Sequence, residues 1–466
     1  MYGSVRLIHA LLLIETLAFW SVWKWYITRI WDKSDEPWGL VALGTCVLFC
    51  VRSRSRREVG KPTLFLITGA MLIYALTYGY APPVVRALIA VTAVALTVSP
   101  IAFGSRIHFG SWGLLMLSLP AIHSLQFYAG YPLRLLSGHI AVILLQTGGV
   151  DVSLEGLALR WGGQLVWIDA PCSGIRMLWA AMYGVFTVSC IFNLNHFRTV
   201  CLGATGLAAV ILGNGLRTAV LFFSEAGIVT APRWSHEAVG MSAFAVALGF
   251  IVWFAGRLSE QAGYADAGLG STFKPLPPTA SQGAGHDAPT PTHRAAMGLL
   301  AAAGVAAALV SLTWHGNAPA SSLTGFPGWP DTFENRPVKQ EALSLTEARL
   351  ADDFPGATGK FSSGSNVIIF RWITRATRKL HPAADCFRAL GYALTPMPMY
   401  VDPAGGVWGR MEARRGTERL TVREHIRDLS GKQGWADVSS WYWGALLGKS
   451  SGPWWAATVV ENVGHP

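Results

Sequence analysis

The sequence predicts a polytopic α-helical membrane bundle of about eight spans plus one tethering span, followed by a soluble α+β extracytoplasmic domain. Three observations predict it. Of 466 residues, 52% are hydrophobic and 14% charged, too apolar for an average soluble domain. Apolar runs of about 20 residues, enough to cross a hydrocarbon layer of about 30 Å, recur along the first 257 positions. Beyond residue 315 they stop, charge density rises, and short strand-like runs alternate with turn residues.

The predicted spans are 7–26, 38–51 (short), 63–80, 84–103, 110–128, 173–193, 199–222 and 238–256. Trp20, Trp23, Trp25, Trp31 and Trp38 cluster near run ends, where indoles settle at headgroup level. No small-residue cleavage site follows the first run, which is read as a retained helix. Arg52, Arg54, Arg56, Arg57 and Lys61 form the densest basic loop and set it, with the N-terminus, on the cytoplasmic side. The loops around Arg106, 196–198 and Arg257 share that side only if the apolar run 132–146, with its Arg134, Ser137, Gly138 and His139, does not cross. It is therefore read as an interfacial helix on the outer face. Residues 258–293, rich in Gly, Ala, Pro, Ser and Thr, read as a flexible cytoplasmic linker between a membrane domain, 1–257, and a tethering helix, 294–314. The small residues of that helix suit close packing on the bundle. Residues 315–466 form the outer domain, with strand-like runs at 367–372, 407–413 and 418–422.

The net charge of +10 is scattered over short loops and the tail, which points to anionic lipid headgroups of the bilayer and away from nucleic acid. The six cysteines, at 46, 50, 172, 190, 201 and 386, have no metal-ligand spacing, so neither a zinc site nor a disulfide framework is expected. Cys46 and Cys50, one helical turn apart without His or carboxylate partners, read as core residues. Glu15 and His139 are polar oddities in apolar surroundings to which no mechanism attaches.

Three residues stand out chemically. Cys172, in APCSGIR, sits where a span begins, and the free amides and dipole of a helix start favour the nucleophilic thiolate. Ser173 and Gly174 beside it permit close backbone approach, which also suits a small residue packed at a cap. Arg217, in GNGLRTAVLFF, lies inside an apolar helix, where a charge must be satisfied or snorkel to headgroups. Asn214 lies one turn away and can help to solvate it. His236, in PRWSHEAVG, opens the next span; alone, such a histidine is more often a cap or interface residue than a catalyst. A short inner turn at 193–198 and a short outer loop at 224–235 return all three to one depth. Together they supply a nucleophile, a proton carrier and a fixed positive charge for an oxyanion.

In these residues the chain resembles the exosortase/archaeosortase membrane transpeptidases, whose pattern is Cys-Ser-Gly at a span start, Asn-x-x-Arg in the next span and His at the start of the one after. Here they read Cys172-Ser173-Gly174, Asn214-Gly215-Leu216-Arg217 and His236, densest over 130–257. The resemblance implies a multi-pass bacterial inner-membrane cysteine peptidase with Cys172, Arg217 and His236 as its catalytic residues and no metal or organic cofactor. Its partners would be exported proteins ending in a PEP-CTERM-like sorting motif, a transmembrane helix and a basic tail; the acceptor nucleophile stays open. The stretch WDKSDEPWGLVAL looks like a departed form of the family's early loop, with Asp35-Glu36 in place of its histidine. The tail is similar to the periplasmic domain associated with some exosortases around His381-Pro382-Ala383-Ala384-Asp385-Cys386, which makes His381 and Cys386 supporting candidates against a structural turn with a packed cysteine. Two other classes stay in view: a non-catalytic component of an exopolysaccharide export system, in which Cys172 is replaceable, and an acyltransferase that carries a lipid acyl chain on the same thiol.

Overall fold

The computed structural model describes residues 2–462 except 32–36, 53–58, 156, 169–173, 231, 233, 261–290, 314–324, 345–346, 349–350, 352–353 and 432. The core of the basic loop, most of the predicted linker, Asp35-Glu36, Cys172 and Ser173 lie outside the described residues. The chain forms two compact units that interleave in sequence. One comprises Met1–Ile122, Arg176–Gly213 and His236–Gly316; the other comprises His123–Ile175, Asn214–Ser235 and Asn317–Pro466.

The helices up to the tail are α1 (Tyr2–Ala18), α2 (Trp20–Trp31), α3 (Trp38–Arg52), α4 (Lys61–Thr77), α5 (Pro83–Phe103), α6 (Phe109–Leu117), α7 (Ile122–Thr147), α8 (Ile175–Ile191), α9 (His196–Glu225), α10 (Ser235–Glu260) and α11 (Pro291–Thr313). By length and composition α5, α7, α9, α10 and α11 suffice to cross a bilayer, and α1 with α2, bent by 72°, makes a sixth span if counted as one. Shorter apolar helices, α3, α4 and α8, occupy three further predicted spans. The chain is a multi-pass membrane protein.

Within the first unit, small residues let backbones meet. A Cβ on Gly304 of α11 would stand 2.8 Å from Ile14 of α1, and one on Gly113 of α6 would stand 2.3 Å from the Phe186 ring of α8. Glu15, only 1% exposed, accepts a 2.7 Å bond from the Thr97 hydroxyl. Cys46 is buried, its thiol directed to the Ser111 carbonyl, in keeping with a core residue.

The second unit is built on α7, and here the sequence reading is corrected. A span over 110–128 and a separate helix over 132–146 were predicted; the break falls instead at 118–121, between α6 and α7. Pro120 stands in that break, whereas Pro132 lies inside α7. A helical proline cannot donate to the carbonyl four residues back and crowds the preceding turn. Both consequences are met from the tail. The orphaned Tyr128 carbonyl accepts the Trp443 indole N–H at 2.7 Å. One step earlier the Ser439 hydroxyl is inserted into the ladder, accepting from the Tyr131 N–H at 3.2 Å and donating to the Phe127 carbonyl at 2.6 Å.

The described residues of the tail form an antiparallel sheet with short helices between its strands. Its strands are β6 (Lys339–Glu341), β7 (Gly356–Ser363), β8 (Asn366–Ile373), β9 (Ala393–Val401), β10 (Val407–Arg415), β11 (Glu418–Asp428), β12 (Gly434–Trp435) and β13 (Trp454–Asn462). They order as β6-β7-β8-β13-β11-β10-β9, with β12 on β11. The three predicted strand runs fall inside β8, β10 and β11. Helix α12 (Ala383–Ala389) follows β8, and α13 (Val438–Leu446) precedes β13. Ahead of the sheet, β4 (Thr332–Phe333) and β5 (Arg336–Pro337) form a hairpin. A core of Phe354, Ile373, Leu380, Ile426, Val438, Trp441, Trp454 and Ala456 also takes in Phe127 of α7, so the helix is part of the tail's hydrophobic core.

The second half of α7 meets a small hairpin sheet. Strands β1 (Ser153–Glu155), β2 (Ala158–Trp161) and β3 (Gln164–Trp167) form a small sheet. Gly162 and Gly163 turn it with φ of 54° and 81°, the two positive values a tight two-residue turn needs. Ala141 and Leu145 of α7, Val152, Leu159, Val166 and Ile168 of the hairpin region, and Ala219 and Phe222 of α9 close one apolar cluster. One stripe of α7 at helical spacing, through Phe127, Arg134, Ser137, Ala141 and Leu145, is thus buried along its length, while Leu136, His139 and Ile143 are exposed.

Candidate active site

Of the candidate residues, Gly174 and Asn214 meet near the crossing of α9 and α7. A Cβ on Gly215 would lie 2.4 Å from the Ile140 side chain, so glycine lets the two helices touch. One residue earlier, Asn214 is 2% exposed and donates from Nδ2 to the Ser137 hydroxyl of α7 at 2.8 Å. Its carbonyl accepts the Thr218 hydroxyl at 2.9 Å. Gly174, at the entrance to α8, has φ 72°, and a Cβ added there would meet the Asn214 amide at 3.1 Å. A left-handed backbone and a close wall both call for glycine at that position. The arrangement fixes the residue two past Cys172 against the Asn-x-x-Arg helix.

Arg217, half-buried, follows Asn214 by about one turn and precedes the end of α9 by about two. His236 is the second residue of α10, so its predicted place at a helix start holds for the backbone; its side chain lies outside the described residues, as do Cys172 and Ser173. Gly174 and Asn214 are therefore brought together, with Arg217 one turn along. His139 is exposed and bonds the Leu135 carbonyl of its own helix.

Sequence reasoning missed what holds this site. Arg134, one turn before Ser137 on α7, is 1% exposed and forms a 2.9 Å ion pair with Asp437. Asp437 is the N-cap of α13, accepting the Ser440 N–H at 2.9 Å. Burial works against the Asp437 carboxylate, but Arg134 and the Ser440 donors outweigh it and hold the group below the usual aspartate range. At the start of α7, Arg378 bonds Ser124, and His123 meets Asp385 at 3.4 Å and Arg388 at 3.1 Å. The signal in the sequence was Arg134 itself, a charge in an apolar run, whose partner in the tail the sequence did not name.

The other supporting pair lies in the tail. His381 and Cys386 are brought together, Nε2 to Sγ 2.9 Å, beside a small cavity lined by Arg371, His381, Glu424, His425 and Thr458 among others. Among the described residues, no group of three or more His, Cys, Asp or Glu side chains is placed to hold a metal ion.

A family model described as transmembrane exosortase matches residues 9–253, which contain α7, the hairpin, α9 and the start of α10. No curated protein and no solved structure matches the chain.

Proposed function

Because the chain belongs to the transmembrane exosortase family, we propose that it is a cysteine protease or transpeptidase acting at the outer face of a bacterial inner membrane on C-terminal sorting signals of the PEP-CTERM kind. The observation that carries this reading is the Gly174–Asn214–Ser137 contact, which supports a common location for the Cys-Ser-Gly and Asn-x-x-Arg motifs. Both motifs fall inside the matched region.

In this reading the Cys172 thiolate attacks the scissile carbonyl carbon, and the charge that develops on oxygen is met by the Arg217 guanidinium. His236 gives a proton to the departing amine as the C–N bond breaks, which leaves the substrate as a thioester on Cys172. An amine or water then attacks that thioester and releases the thiol. Asn214 acts through position: bonded to Ser137, it walls the Gly174 turn and sets the register of Arg217.

The test is co-expression of the intact chain with an exported protein carrying a sorting motif, a transmembrane helix and a basic tail, followed by substrate size. Cys172→Ala, Arg217→Ala and His236→Ala, at matched membrane levels, each abolish processing if the trio is catalytic. Normal processing by Cys172→Ala removes the peptidase reading and favours a non-catalytic role in an export system.

A further inference from the structure

The tail carries a second nucleophilic arrangement that the reaction at Cys172 does not use. His381 precedes α12 and Cys386 is on it, so one short segment presents both side chains. The His381 Nδ1 atom stands 3.1 Å from the Lys379 carbonyl. A carbonyl only accepts, so Nδ1 carries the proton, and the bare Nε2 faces the Cys386 sulfur at 2.9 Å. This is the geometry of a general base poised on a thiol, with the base oriented by a third group. The helix is anchored at its first residue, where the Glu424 carboxyl accepts the Ala383 N–H at 2.9 Å.

Arg371 on β8, bonded to Thr458 of β13 at 3.3 Å, sets its positive charge toward both Cys386 and Glu424. Burial pushes the Cys386 thiol up while Arg371 pulls it down, and burial prevails. The resting group is thus a thiol, which needs its base at the moment of attack. The adjoining cavity has room for about one water molecule, too little for a bound small molecule. Cys386 is part-buried, so part of the residue meets solvent.

We propose that Cys386 and His381 form a second thiol site in the tail, which accepts acyl groups presented as thioesters. As the Cys386 sulfur attacks the acyl carbon, its proton passes to His381 Nε2. The new S–C bond forms, the donor's C–S bond breaks, and the departing thiolate takes the proton back from His381. The exchange moves an acyl group from one thiol to another with no change of oxidation state. A thioester suits the site better than an amide, because a thiolate leaves without the acid and the paired oxyanion donors that expulsion of an amine demands. The site stands independently of the reaction proposed at Cys172.

The test uses the full chain in detergent, with Cys172→Ala to silence the other thiol, and a short glycine-ended peptide thioester of mercaptoethanesulfonate as probe. Peptide mapping by mass spectrometry follows acylation of each cysteine with time. Acylation of Cys386 is expected to outpace that of Cys201, and to fall at least tenfold in His381→Gln. It should also slow in D2O in the parent, a measurement that requires no variant to fold. Added imidazole should restore part of the rate in His381→Ala. Equal rates in the parent and in a folded His381→Gln, or no solvent isotope effect in the parent, would overturn the proposal and leave a packed cysteine.

Discussion

Asp437→Asn isolates one interaction at the seam between the tail and α7. Asparagine caps a helix about as well as aspartate, so the Ser440 N–H keeps its acceptor. What is lost is the negative charge facing Arg134, which at 1% exposure has almost no access to water. Removing one partner of a buried pair costs about 3–5 kcal/mol, and the amide oxygen can still accept one N–H, so about 3 kcal/mol is expected. At 1.4 kcal/mol per tenfold, local opening of the seam becomes roughly a hundredfold more frequent. Hydrogen exchange of peptides covering 123–137 and 438–446 reads this directly, with β7 and β8 as an internal control. The double change Arg134→Met with Asp437→Asn should recover most of the protection, because the buried guanidinium left without its counter-charge is gone while the Ser440 N–H keeps its cap. If Asp437→Asn leaves both peptides within about threefold of the parent, the ion pair does not hold α7 and the apolar contacts around Phe127 do. Acid should imitate the substitution. The Asp437 carboxylate lies below its ordinary range, so its contribution is present above the unfolded aspartate value and is lost as pH falls through the lowered one.

Ser439→Ala removes the hydroxyl inserted between Tyr131 and Phe127 and should cost about 1–3 kcal/mol by thermal unfolding, whereas Ser439→Thr, which keeps the hydroxyl, should cost less. Gly174→Ala forces a side chain into a left-handed turn 3.1 Å from Asn214, so a cost of about 1–2 kcal/mol and a drop in substrate processing are expected together. Asn214→Ala should lower processing while leaving Cys172 open to alkylation, which distinguishes loss of position from loss of the nucleophile. Burial raises Glu424 to about 7 against the backbone bond from Ala383. Its folded value stands above the unfolded one, so its contribution is full below the unfolded value and is lost as pH rises through about 7. Glu424→Gln keeps an acceptor for Ala383 and should flatten this loss, about 3 kcal/mol at most, in unfolding curves taken from pH 4 to 8.

What the sequence made legible is what local pattern encodes. The alternation around Gly162-Gly163 suits a hairpin, and the run Val367 to Trp372 reads as a strand. Arg217 and Asn214 were visible because polar groups in an apolar helix demand an explanation wherever they stand. The same rule pointed at Arg134 but could not name its counter-charge, which is a helix cap in the tail. Pro132, at the start of the predicted 132–146 helix, poses a related question. A proline in an apolar run signals a break unless something else satisfies the carbonyl it orphans, and that something is Trp443, 315 positions later. Local sequence states that a group needs a partner, and long-range folding alone names the partner. The consequence reaches the candidate site. Arg134 and Ser137 are successive turns of one stripe, the first held by the tail and the second holding Asn214. The tail is therefore joined, through a single helix, to the motif that carries Arg217, and a change at Asp437 should register at Asn214 before it registers in the sheet.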